Sequence, residues 1–150
     1  MNFRILFLAL LAMSILASCG NNDRCDADDQ EARIQKYVSD NNLVTQRTAS
    51  GIHYIIEEEG SQIRPIASST VSVIYKGYRT DGTVFDETST PISFGLNGVI
   101  AGWTEGIPLF KKGGKGTLII PCQLGYGEQN RTNIPPATVL IFDIELVDVQ

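Results

Sequence analysis

The residues of this chain best equipped for chemistry are aromatic rather than acid, base or nucleophile. Phe85, Trp103, Tyr126 and Phe142, with Val99 and Ile100, are of the types that line an apolar hollow. Tyr75, Asp86, Tyr126 and backbone N–H groups are its polar handles. Such a hollow suits binding an apolar segment, or a reaction that needs only desolvation and a few hydrogen bonds. Other chemistries lack their residues. His53 is the only histidine, so no Ser-His-Asp arrangement stands beyond it, and it reads as a solvated or partly satisfied strand residue rather than a base. No carboxylate pair stands out for glycoside hydrolysis. No CxxC, HExxH or Cys/His cluster occurs, so neither a metal nor a cofactor is expected. The run KKGGKG, Lys111 to Gly116, has the wrong glycine spacing for a phosphate loop and reads as an exposed turn.

The elements that must position these residues are short. Val71, Val73 and Tyr75 alternate with Ser72, Ile74 and Lys76 at the period of a half-buried strand. Asp81-Gly82 marks a turn, and Thr83 to Phe85 resume the extended pattern up to Asp86. On its own, an aromatic beside a carboxylate there is either a pocket edge or ordinary core beside a solvated turn. Ile52, Tyr54 and Ile56 predict an earlier strand. Glu87 to Pro91 reads as a short polar loop before a brief strand, Ile92 to Phe94. Val99, Trp103 and Ile107, spaced four apart, predict a short helix from Val99 to Gly106. Gly98 and Gly102 weaken it, and Pro108 cannot lie deep inside it. Thr117 to Ile120 is a strand closed by Pro121. The irregular stretch Gln123 to Pro136 is of a length more often functional than idle. The last strand, Val139 to Val147, puts Leu140, Phe142, Ile144 and Leu146 on one face and Asp143 and Glu145 on a wet one. The expected fold is α+β: an antiparallel, curved sheet of about five strands wrapped around one short helix.

The N-terminal portion has a different character. Arg4 precedes an apolar run, Ile5 to Ala17, too short to span a bilayer comfortably, and Leu16-Ala17-Ser18-Cys19 follows. This resembles the bacterial lipoprotein signal, in which cleavage precedes a cysteine that carries lipid; a plain secretory signal is the alternative. The expected organisation is a signal peptide at 1–18, a flexible tether at 19–29 starting at the lipidated Cys19, a short helix and linker at 30–50, and one domain at 51–150. Asp28 and Glu31 have the spacing of a capping box for a helix from Gln30 to Asp40, which is expected to pack back on the domain. Cys25 and Cys122 either pair or stay as two thiols; nothing local favours pairing. The net charge of -5 argues against a nucleic-acid partner.

Four runs in order, VIYKGYRTDGTVFD (Val73 to Asp86), VIAGWTEG (Val99 to Gly106), LGYG (Leu124 to Gly127) and IPPATVLIFDIEL (Ile134 to Leu146), resemble the FKBP-type peptidyl-prolyl cis/trans isomerases. The resemblance covers Gly51 to Val149 and extends to the lipid-anchored bacterial members. It implies rotation about Xaa-Pro bonds of exported proteins. Trp103 would be the pocket floor and Tyr75, Phe85 and Phe142 the walls. Ile100 would donate its backbone N–H and Tyr126 its hydroxyl, and Asp86 would be a carboxylate oriented by Tyr75. Ile92, Val99 and Ile134 would contact substrate. Ile92 stands where the family often has a second pocket phenylalanine, and Phe94 matches a core-facing aromatic. The implied partners are proline-containing segments and a macrolide ligand, for a monomer held by its lipid on the periplasmic side of an outer membrane.

Overall fold

The structure is a computed structural model that describes residues 24–150. The apolar run and Cys19 lie outside the described residues.

Period-two alternation is carried into the sheet. In chain order the elements are α1 (Ala27–Asp40), β1 (Gln46–Arg47), β2 (His53–Glu58), β3 (Thr70–Arg79), β4 (Val84–Gly95), α2 (Ala101–Gly106), β5 (Lys115–Ile120) and β6 (Leu140–Val149). All pairings are antiparallel, in the order β1-β2-β5-β6-β3-β4. The α+β expectation is met with six strands instead of about five. The additional one, Gln46–Arg47, is two exposed polar residues without an alternation to read.

One face of the sheet carries Val71, Val73, Leu118, Ile120, Leu140, Phe142, Ile144 and Leu146, which join Trp103 and Ile107 of the α2 region in the main core. Helix α2 is six residues long, and its close seat on β5 depends on glycine. A Cβ on Gly102 would lie 2.4 Å from Ile120, and one on Gly106 2.6 Å from Leu118. These glycines therefore set the helix-to-sheet distance, beyond lowering helix propensity. Pro108 follows in a 3-10 turn, Ile107–Leu109.

Two expectations about strands change. The polar run Glu87 to Pro91 is part of β4, not a loop between two strands. Val73 faces Ile92 and Tyr75 faces Thr88, so Ile74 alone stands opposite Ser89, Thr90 and Pro91. That bulge accommodates a proline that has no N–H for the ladder, on an edge strand where this is tolerated. The far sheet face is also not uniformly wet. Asp143 is exposed, but Ile119, Val139 and Ile141 on that side are buried beneath Ile34 of α1.

Helix α1 packs back on the domain as expected. Its cap is Asp26, which accepts from the N–H groups of Asp28 and Asp29, rather than the predicted Asp28. It therefore begins at Ala27, inside the stretch expected as tether. Cys25 and Cys122 form a disulfide with Cα atoms 5.8 Å apart, across a sequence separation of 97. Closing a loop of that length contributes on the order of 4–5 kcal/mol in chain-entropy terms. His53 is not solvated: it is 2% exposed, with Nδ1 2.9 Å from Thr45 Oγ1 and Nε2 3.2 Å from Glu31.

Candidate active site

The pocket side chains come from five places. Tyr75 lies on β3, Phe85 and Asp86 at the start of β4, Phe142 on β6, Trp103 on α2, and Tyr126 and Ile134 on the stretch between β5 and β6. Gly77 faces Asp86 on one neighbouring strand and Phe142 on the other. A Cβ there would lie 2.6 Å from Phe85 and 2.8 Å from Phe142. Its absence lets those two rings meet edge to face over β3, with centroids 5.5 Å apart. Trp103 is 5% exposed and has Tyr75 at 5.0 Å, Phe142 at 5.3 Å and Phe94 at 5.5 Å, all edge to face. Such pairs are worth about 0.5–1.5 kcal/mol each beyond burial. Trp103 Nε1 is buried and meets no acceptor among the described residues.

The hollow these rings enclose is about 1390 Å³. Pockets for single drug-sized molecules run to roughly 300–1,000 Å³, so this one has room for several residues of an extended chain. Its polar groups are few and placed. Tyr75 donates its hydroxyl to Asp86 Oδ2 at 2.5 Å. Burial, reinforced by that carboxylate, pushes the Tyr75 phenol well above the usual tyrosine range. Tyr75 is thus a fixed donor at any physiological pH, and it holds Asp86 in one orientation. Ile100 caps α2 and receives the N–H groups of Trp103 and Thr104 on its carbonyl. Neither the Ile100 N–H nor the Tyr126 hydroxyl has a hydrogen-bond partner among the described residues. Two donors are therefore left for a bound molecule.

The structure gathers Tyr75, Phe85, Asp86, Val99, Ile100, Trp103, Tyr126, Ile134 and Phe142 around one hollow. It does not bring Ile92 there. Ile92 lies just past the β4 bulge, opposite Val73, and is 43% exposed. Phe94, two residues on, is the β4 aromatic that reaches Trp103 and lines the hollow, so it is not confined to the core. Ile92 and Phe94 lie two apart on the same strand past the bulge, so alternation alone does not say which of them reaches the hollow. Arg131 is a further lining residue that the sequence did not single out. Its guanidinium sits 4.3 Å over the Tyr126 ring. The only available signal was an arginine in a long glycine- and proline-containing loop beside a tyrosine.

Comparison with known proteins agrees with this architecture. Residues 61–147 match the family model described as FKBP-type peptidyl-prolyl cis-trans isomerase. The chain is 44% identical to FkpA, an FKBP-type peptidyl-prolyl cis-trans isomerase of Escherichia coli K12, over 83% of its own length and 48% of that relative. With a probable isomerase of the same type from Haemophilus influenzae it shares 47% identity, over 68% of the chain and 44% of the relative. It thus spans about half the length of these curated relatives. Among solved structures, the crystal structure of E. coli FkpA aligns with a TM-score of 0.73 at 42% identity, covering 83% of this chain and 61% of that one. A peptidyl-prolyl cis-trans isomerase from Pseudomonas syringae aligns at 0.72 and 30% identity, over 83% of this chain and 96% of the other. With the family match spanning more than half of the chain and the hollow assembled from its motifs, this protein belongs to the FKBP-type peptidyl-prolyl cis-trans isomerase family.

Proposed function

We propose that this chain catalyses cis–trans isomerisation of Xaa-Pro bonds in exported proteins. The observation that carries the reading is the oriented Tyr75–Asp86 pair beside an aromatic floor, with the Ile100 N–H and Tyr126 hydroxyl free to donate. Amide resonance creates a barrier of about 20 kcal/mol to rotation. Twisting the C–N bond removes that resonance and leaves a less polar carbonyl and a more pyramidal nitrogen. An apolar, preorganised hollow favours this form over the planar one, which loses more solvation on entering. Proline lies over Trp103 between Phe85 and Phe142. The Ile100 N–H and Tyr126 hydroxyl take up carbonyl oxygens, and Asp86, held by Tyr75, sits beside the carbonyl preceding the proline. Asp86 orients charge and moves no proton.

The apolar run followed by Leu16-Ala17-Ser18-Cys19 supports a lipid anchor on Cys19. We take the anchored protein to be a monomer, and Gly20 rather than aspartate after Cys19 favours the periplasmic side of an outer membrane. Cys25 is tied to Cys122, so the span from Cys19 to Cys25 reaches at most about 20 Å when fully extended. That keeps the hollow close to the lipid surface. A macrolide that presents a flat amide-like face and carbonyl acceptors would occupy the same hollow.

The reading is tested by the rate of Xaa-Pro isomerisation in a short peptide and in a proline-limited refolding reaction, with Tyr126 and Asp86 variants alongside. A wild-type rate equal to the uncatalysed one sinks it. Cys19→Ala should release the protein from membranes, and unchanged retention counts against the anchor.

A further inference from the structure

The hollow's loop wall is anchored from outside the domain that the motifs define. Gln30, in the first turns of α1, is 0% exposed. Its side-chain amide makes two bonds. Oε1 accepts the Cys122 N–H at 3.0 Å, and Nε2 donates to the Ala137 carbonyl at 2.9 Å. Cys122 and Ala137 are the two ends of the loop that carries Tyr126 and Ile134. From Cys122 the connection continues to the pocket: its carbonyl accepts the N–H groups of Gly125, at 3.0 Å, and Gly127, at 2.9 Å, the two neighbours of Tyr126. From Ala137 the N–H returns to the Gly127 carbonyl at 2.8 Å. Ala137 has a φ of 55°, in the left-handed region where a residue with a side chain stays only if its surroundings over-determine it. Gln30, together with Arg33 on the same carbonyl at 3.2 Å, supplies part of that determination. A second, covalent link, Cys25–Cys122, fixes the same end of the loop.

We propose that Gln30 is a positioning residue for the active site: α1 is a strap whose buried amide sets the spacing of the loop's two ends and thereby the place of Tyr126. This rests on the isomerase reading of the hollow. A buried amide with both its groups satisfied is specific in a way that the apolar contact of Ile34 is not, since an apolar surface tolerates small shifts that a hydrogen-bond pair does not. The strap lies outside the family-matched residues 61–147, so activity and affinity depend here on a segment beyond that match.

The test uses the full chain and compares Gln30→Met with Ile34→Val. Gln30→Met keeps the volume and removes both bonds; Ile34→Val loosens the same helix without touching the loop. Affinity for a proline-containing peptide is read from the fluorescence of Trp103, the single tryptophan. Protection of the Gly125 and Gly127 amides is read by hydrogen exchange, and folded fraction by urea titration. Under conditions where each variant is fully folded, Gln30→Met should weaken peptide binding about tenfold, the order expected when a binding group is slightly misplaced, and should lose protection at both amides. Ile34→Val should lose stability with binding and protection unchanged. If Gln30→Met shows only lost stability, with affinity and both amides as in the wild type, the proposal is overturned. Should that variant fail to fold, Gln30→Glu keeps the acceptor for the Cys122 N–H and loses the donor to the Ala137 carbonyl, and unchanged peptide affinity and glycine-amide protection in it overturn the strap equally. A wild type that binds no proline peptide counts against the isomerase reading, while the amide measurements still decide the strap.

Discussion

The wall of the hollow that carries Tyr75, Phe85 and Asp86 is ladder-paired sheet, whereas the wall that carries Tyr126 and Ile134 is a loop held at its ends. On the first side β3 has a partner strand on each flank; Tyr75 and Asp86 are register positions, and Phe85 sits between two of them at a register shift. On the second side the backbone bonds are turns, two of them onto the Cys122 carbonyl, and the ties to the rest of the molecule are side-chain bonds, the buried Gln30 amide first among them, and a disulfide. A sheet wall resists displacement because moving one side chain disturbs several pairings. A loop wall is as stiff as its anchors, and it can differ between relatives without rebuilding the sheet. Catalysis by shape and desolvation needs both: a fixed floor for the proline ring and a donor carried to the right place above it.

Substitutions separate the two walls. The largest effect is expected for Phe142→Ala, which empties a buried position in the sheet wall and should cost about 3–5 kcal/mol by urea unfolding, with catalysis lost. Gly77→Ala should follow at about 1–3 kcal/mol, because the new methyl group enters the space of Phe85 and Phe142. Tyr75→Phe removes the hydroxyl that orients Asp86, and should lower kcat/KM about tenfold, mostly in kcat, while changing stability by only about 1 kcal/mol. On the loop wall, Tyr126→Phe deletes a hydroxyl that has no hydrogen-bond partner among the described residues. Stability should stay within about 0.5 kcal/mol of wild type, and peptide turnover should fall a few-fold. A stability loss from Tyr126→Phe as large as that from Gly77→Ala would break the distinction between the walls.

The smallest effect concerns a further attachment of the strap, Glu31 of α1 to His53 and Arg47, and it is set by pH. Burial raises the Glu31 carboxyl, but hydrogen bonds from Gln35, Arg47 and His53 outweigh it and hold the group below its ordinary value of 4.5. A depressed carboxylate contributes stability that is fully present above the unfolded value and lost as pH falls through the folded one. The wild type should therefore lose a small increment of stability below about pH 4.5 that Glu31→Gln does not show. Parallel curves for the two proteins would remove Glu31 from the account.

The strand alternation in Val71 to Tyr75 and Leu140 to Leu146 made the sheet and its buried face readable, because burial on one face writes period two into the sequence. The pocket aromatics were readable by type as lining for an apolar hollow, but their individual places came from the resemblance of the four motif runs; by residue type alone Phe85 beside Asp86 is equally core beside a turn. What escaped the sequence depends on pairing between distant residues. Nothing around Cys25 marks Cys122 as its partner, since their approach follows from the docking of α1. Gln30 has the composition of an ordinary surface glutamine, and its role exists only once Cys122 and Ala137 are brought together. That Phe94 rather than Ile92 lines the hollow escaped too: both lie past the bulge opposite Ile74 at alternate positions of one strand, so alternation does not distinguish them.

The central claim is that a desolvating hollow turns the Xaa-Pro bond with no proton transferred. It is tested most directly by kcat/KM for one proline peptide, measured in water and in deuterium oxide. The account predicts clear acceleration over the uncatalysed reaction, with the same rate in both solvents. No acceleration, or a markedly slower catalysed rate in deuterium oxide, would contradict it.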